Sequence, residues 1–104
     1  MINNLIISGR VVDKPVVKEF MDKKGKGRFV SYFRIANVVS KDNTNFFEVV
    51  CFNSIGKYLN KGQEVVVYGR IEQDRFEKDG EKQSRIKIVA TELVVGREPV
   101  SQEV

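Results

Sequence analysis

The chain has 104 residues, 41% of them hydrophobic and 31% charged, which is enough for one compact domain and too apolar for a disordered segment. A formal net charge of +4 and a sequence pI of about 9.3 point to an anionic partner only if the 18 basic side chains are sorted in space from the 14 acidic ones. With no histidine and a single cysteine, Cys51, an internal disulfide, histidine general-base catalysis and the common zinc sites are excluded; no metal, cofactor or enzymatic reaction is expected. Met1-Ile2-Asn3-Asn4 lacks the basic and apolar regions of a signal peptide, and no apolar run is long enough to span a bilayer. A reduced, cytoplasmic setting follows as an expectation.

Short β-rich runs separated by turn residues dominate the chain. The first is Leu5 to Val12, which Asp13-Lys14-Pro15 interrupts, because a proline cannot donate to a strand ladder. Lys23-Lys24-Gly25-Lys26-Gly27 reads as a loop. A second run, Phe29 to about Val39, puts Phe33 and Ile35 on one face and Tyr32 and Arg34 on the other. After a turn over 40–45 comes a third run, Phe46 to Phe52. There Phe47, Val49 and Cys51 alternate with Phe46, Glu48, Val50 and Phe52. Both faces carry aromatics, so periodicity does not choose which is core. Ser54 to Asn60 fits one or two helical turns, with Gly62 suited to a C-cap. The fourth run is Glu64 to Glu72 and the fifth about Arg85 to Val95, with a hairpin tip at Lys78-Asp79-Gly80-Glu81 between them.

Ile6-Ile7-Ser8-Gly9-Arg10-Val11 and Val66-Val67-Tyr68-Gly69-Arg70-Ile71 echo each other. A glycine inside a strand often marks a barrel corner. An all-β, five-stranded OB-fold barrel is therefore expected, with a short helix between its third and fourth strands. Phe46, Phe52 and Phe76 lie close to basic residues, and flat rings beside positive charge suit unpaired bases and their phosphates. Phe33 and Phe47 are expected in the core, and Cys51 as a buried small hydrophobe. Tyr32 and Tyr68 fit either base contact or packing. Lys23, Lys24, Lys26 and Arg28 lie in the loop that OB-folds use for binding, although such a run is also an ordinary solvated turn.

The order of these segments resembles the bacterial-type single-stranded DNA-binding protein family over roughly residues 3 to 95. The segments that carry the likeness are Asn3 to Arg10, Phe33-Arg34-Ile35-Ala36, Phe46 to Phe52, and Tyr58-Leu59-Asn60-Lys61-Gly62 followed by Val65 to Ile71. The resemblance implies base stacking on Phe46, Phe52 and Phe76. It implies phosphate or backbone contacts from Arg10, Arg34, Lys41, Lys61 and Arg75. Lys41 falls near a position where the family has a fourth aromatic, and Glu48 where it has a basic or neutral residue. The segment between Phe52 and Gly62 is about one helical turn shorter than in typical members. An OB-fold over residues 1–96 and a short flexible C-terminus over 97–104 are expected. Those last residues lack the family's acidic tip, so tail-mediated enzyme recruitment is not expected.

The function so implied is sequence-nonspecific binding and protection of single-stranded DNA in replication, recombination or repair, near the nucleoid, by a homotetramer or, second, a dimer. Two rivals remain at this point: a primosomal-replication-protein-like OB-fold, and an OB-fold that serves as a protein-interaction adaptor.

Overall fold

The computed structural model describes residues 1–96; the expected short C-terminus over 97–104 lies outside the described residues. Six strands form: β1 Leu5–Val11, β2 Val16–Met21, β3 Gly27–Ser40, β4 Asn43–Cys51, β5 Glu64–Lys78 and β6 Glu81–Val95. They hydrogen-bond in the order β1-β5-β6-β4-β3-β2, and β1 also pairs with β3. That last pairing, Arg10↔Ala36 and Val11↔Ile35, closes five strands into the expected barrel. All pairings are antiparallel except β4 with β6.

The sixth strand, β2, stands outside the closed barrel on the free edge of β3. Sequence alone gives no strand between the Asp13-Lys14-Pro15 break and the 23–27 loop. Pro15 sits just before β2, where its missing N–H removes nothing from the ladder. The hairpin of β5 and β6 is also longer than expected: pairing runs from Val65↔Val95 out to Lys78↔Glu81. Its tip has φ of 53° at Asp79 and 81° at Gly80, the left-handed pair that a two-residue turn requires. The expected short helix is a single 3-10 turn, Ser54–Tyr58, whose first N–H groups are served by Asn53. It ends earlier than the sequence suggests. Gly62, at φ 84°, shapes the following turn instead of capping a helix, and its N–H donates to the Val11 carbonyl at 2.7 Å.

The core is the barrel interior. Val11, Phe33, Ile35, Val49, Cys51, Leu59, Val65, Val67, Ile88, Ala90 and Leu93 form one buried cluster, with Phe47 packed against it. Burial pushes the Cys51 thiol up from its ordinary pKa, as suits a small core hydrophobe. The two echoed glycines stand where strands press together. A Cβ on Gly9 would lie 2.7 Å from the Ala36 carbonyl oxygen, at the β1–β3 closure. A Cβ on Gly69 would run into the Val89 carbonyl oxygen beside the register shift between Tyr68 and Gly69. Thr91 donates its hydroxyl to the Tyr68 carbonyl at that bulge, 3.0 Å away.

Because the obstacle at Gly69 is backbone, Gly69→Ala forces strands β5 and β6 apart. We expect a loss of about 1–3 kcal/mol, as for other overpacked sites, read as a fall of at least several degrees in thermal unfolding. An unchanged melting temperature would show that the corner relaxes freely.

Candidate nucleic-acid interface

The alternation on β4, which periodicity alone leaves open, resolves with the expected Phe47 and Cys51 inward. Phe47, Val49 and Cys51 turn into the barrel, which forces Phe46, Glu48, Val50 and Phe52 to the opposite side. Phe46 is 58% exposed and Phe52, just past the strand, 57%. Their face is not merely solvated. Val30, Val50 and Val89 on it are buried, yet none belongs to the barrel core. The register explains why: Tyr32 pairs with Val50 and Val50 with Val89, while β2 lies alongside with Val16↔Tyr32 and Lys18↔Val30. The sheet curls here and makes a second, shallow apolar floor. A cleft of about 360 Å³ opens over Val50, walled by Tyr32, Arg34, Glu48, Asp74, Arg85 and Lys87.

Cations lie against the rings of this face. The Arg34 guanidinium is 5.9 Å from the centre of Phe46 and that of Arg85 is 5.4 Å from the centre of Phe76. Lys18 Nζ sits 5.5 Å from the Tyr32 ring centre. Acids tether these cations: Asp13 stands 3.7 Å from Arg34, Glu48 3.8 Å from Arg85 and Asp74 3.1 Å from Lys87. Phe52 meets Phe20 of β2 edge to face, with ring centres 6.3 Å apart.

The sequence-expected residues fall into four groups. Phe46, Phe52, Phe76 and Arg34 share the outward face just described. Arg10 lies one strand over, opposite Ala36, which in turn is opposite Phe46. Its guanidinium donates to the Gly62 carbonyl at 3.1 Å, so Arg10 and the exposed Lys61 flank the same turn. Lys41 is exposed in the tight turn between β3 and β4. Arg75 is separated from the others: as the neighbour of Phe76 on a strand it points to the other side of the hairpin, where it donates to Gln73 at 3.1 Å.

Sequence reasoning did not single out Phe20, Lys18, Arg85 or Lys87. Phe20 lies in the strand that Pro15 concealed. Arg85 and Lys87 become readable once the Asp79-Gly80 turn fixes the hairpin register, with Asp74↔Arg85 and Glu72↔Lys87. A further cluster has Lys57 Nζ 4.5 Å from the Phe29 ring centre and 5.2 Å from that of Tyr58.

The basic loop between β2 and β3 is a built turn. Asp22 accepts the backbone N–H groups of Lys24 at 2.9 Å and Lys26 at 2.8 Å, and Arg28 Nε at 3.0 Å. The bond from the Lys26 N–H and the Arg28 guanidinium hold the Asp22 carboxyl below its usual pKa. Arg28 is thereby engaged, while Lys23, Lys24 and Lys26 remain exposed. A depressed carboxylate pKa means that the clip is intact above the ordinary Asp range and is lost as pH falls through the folded-state value. Asp22→Ala should accelerate amide exchange at Lys24 and Lys26 and leave the barrel amides protected. Equal protection in the variant would mean that the backbone turn holds without the carboxylate.

Comparison with known proteins places this architecture. Residues 2–95 match the model of the family described as "Single-strand binding protein family". The single-stranded DNA-binding protein of Aquifex aeolicus is 26% identical over 111 aligned residues, covering 99% of this chain and 76% of its own. That of Fusobacterium nucleatum is 23% identical, covering 95% of this chain and 70% of its own. A solved structure of a Plasmodium falciparum SSB in complex with ssDNA superposes with a TM-score of 0.76 at 21% identity, over 93% of this chain and 96% of that one. At that identity the likeness speaks for the fold.

Proposed function

We propose, from the premise that this chain belongs to the single-strand binding protein family, that it binds and protects single-stranded DNA with little sequence preference. One observation carries the reading: exposed phenylalanines carry guanidinium groups against their rings on the outside of a closed barrel. Bases stack on Phe46, Phe52 and Phe76, because every base has a π-face and none needs a partner strand. Phe20 widens the platform at Phe52. Arg34, Arg85, Lys18 and Lys87 line the path beside the rings, and Arg10, Lys41 and Lys61 extend it toward the β1 and β3–β4 ends. Arg75, on the other side of the hairpin, fits a strand that wraps around the arm. The protein acts by occupancy and catalyses no reaction, in the cytoplasm where DNA is replicated, recombined and repaired.

Self-association belongs to the same reading. On the outer side of β1, β5 and β6, Ile6 pairs with Tyr68 and Val66 with Val94; Ile6 is 69% exposed and Val94 47%. An apolar strip of that kind favours a second copy. A homotetramer is the expected state and a dimer the second choice, to be measured by light scattering at micromolar concentration. A monomer there would remove the role given to the strip.

Binding to oligo-dT should greatly exceed binding to duplex of equal length. Phe76→Ala removes a ring from the exposed arm without touching the core, so it should weaken binding by about 1–3 kcal/mol at unchanged melting temperature. Unweakened binding would place the stack elsewhere. Lys61→Ala should flatten the slope of log K against log salt by about 0.7, the value of one phosphate on a single strand. An unchanged slope would take Lys61 off the path.

A further inference from the structure

A carboxylate is the wrong charge for a phosphate path, yet Glu48 stands on the binding face between the rings. It is two residues from Phe46 on the outward row of β4 and four from Phe52, just past the strand's end. At about 3.3 Å per residue it lies roughly 7 Å along the strand from Phe46 and 13 Å from Phe52. Bases stacked on those rings present their edges to the space between them. Glu48 also borders the cleft whose walls are Tyr32 and Arg34 on one side and Arg85 and Lys87 on the other.

The carboxylate has acceptor capacity to spare. Its nearest cation, Arg85 Nε, is 3.8 Å from Oε2, beyond hydrogen-bonding range, and both side chains are about half exposed, 57% for Arg85 and 48% for Glu48. Arg34 is its register partner across β3, but the acid contacting Arg34 is Asp13. An ionised carboxylate only accepts hydrogen bonds. Opposite such a group, cytosine offers its N4 amino donor, whereas thymine at the same place offers the O4 acceptor. The first pairing is attractive and the second repulsive. A residue that merely tethered Arg85 would treat both bases alike.

We propose that Glu48 reads base edges: it biases the strand that crosses the cleft toward amino-bearing bases, cytosine over thymine. The proposal rests on the single-strand reading above and adds a local selectivity to a mode of binding that is otherwise indifferent to sequence. Tyr32 and the Val50 floor hold the base, the neighbouring cations take the phosphates, and Glu48 faces the donor edge.

The test compares oligo-dC with oligo-dT of one length, at one salt concentration, for the parent, Glu48→Gln and Glu48→Ala. The quantity read is the dC:dT affinity ratio of the parent divided by that of each variant, which cancels intrinsic differences in strand stiffness. A quotient of about five or more is expected, the low end of what a base-edge contact discriminates. Both variants should show it: the Gln amide donates to thymine O4 as readily as it accepts from cytosine N4, and Ala offers neither base a partner. A quotient near one, with both strands tightening or weakening together, overturns the proposal and leaves Glu48 as a tether for Arg85. Failure of the parent to bind either strand above duplex overturns the single-strand reading itself, and the proposal with it.

Discussion

Closure of the barrel governs the rest of the molecule. Once β1 pairs with β3, every second residue of β3, β4 and β6 is committed to one interior. The residues between have no choice but to face outward. Phenylalanines at 46 and 52 are therefore exposed not by weak packing but because Val49 and Cys51 hold the same strand from the other side, with 1% and 0% exposure. The sheet's curl then gives the outward face an apolar floor of its own. Rings that would be a liability on a flat surface are set on a supported, shallow groove.

The cations over the rings are held loosely, and that matters for binding. Exposed ion pairs such as Asp13–Arg34 and Glu48–Arg85 contribute roughly 0–1 kcal/mol each, and exposed cation–π contacts about 0.5–1 kcal/mol. A base stacking on Phe46 or Phe76 gains about as much or more. Under the proposed function, the guanidinium groups can therefore yield the ring faces to bases and turn to phosphates without a large reorganisation. The acids keep long side chains near the rings while the groove is empty, and they limit the charge repulsion among Arg34, Arg85 and Lys87.

What could be read from sequence follows from which physical signals are local. Alternation within 46–52 and 29–39 is local, so the strands and the ring candidates were legible. The Asp-Gly turn is local too, and it set the hairpin. The choice of inner face on β4 was not local: both faces carry a phenylalanine, and only the partners Ile88 and Ala90 on β6, across a parallel pairing from Val49 and Cys51, decide it. β2 was hidden because a proline that ends a ladder can equally precede one. Pairing Arg85 with Phe76 requires the hairpin register and then a cross-strand diagonal, which a linear reading does not supply. Arg75, which the family resemblance implies as a backbone contact, lies on the opposite face of the strand from its neighbour Phe76, a placement that only the strand geometry reveals.

Charge shows the same dependence on placement. A net +4 spread evenly would give little field, and here 14 acids accompany 18 bases. The fold sorts them. Asp22 is turned inward to clip its loop, so that Lys23, Lys24 and Lys26 project without a neighbouring acid in the turn accepting from their side chains. On the groove, Asp13, Glu48 and Asp74 each stand beside a specific cation rather than apart from it. The acid nearest the middle of the ring row is also the one whose pairing is longest, 3.8 Å. If the acids served only to balance charge, that central position would be the poorest place for one, since it lies directly against the incoming strand. On the proposed single-strand path, a carboxylate there is better accounted for by the donor edges of passing bases than by the cation at its side.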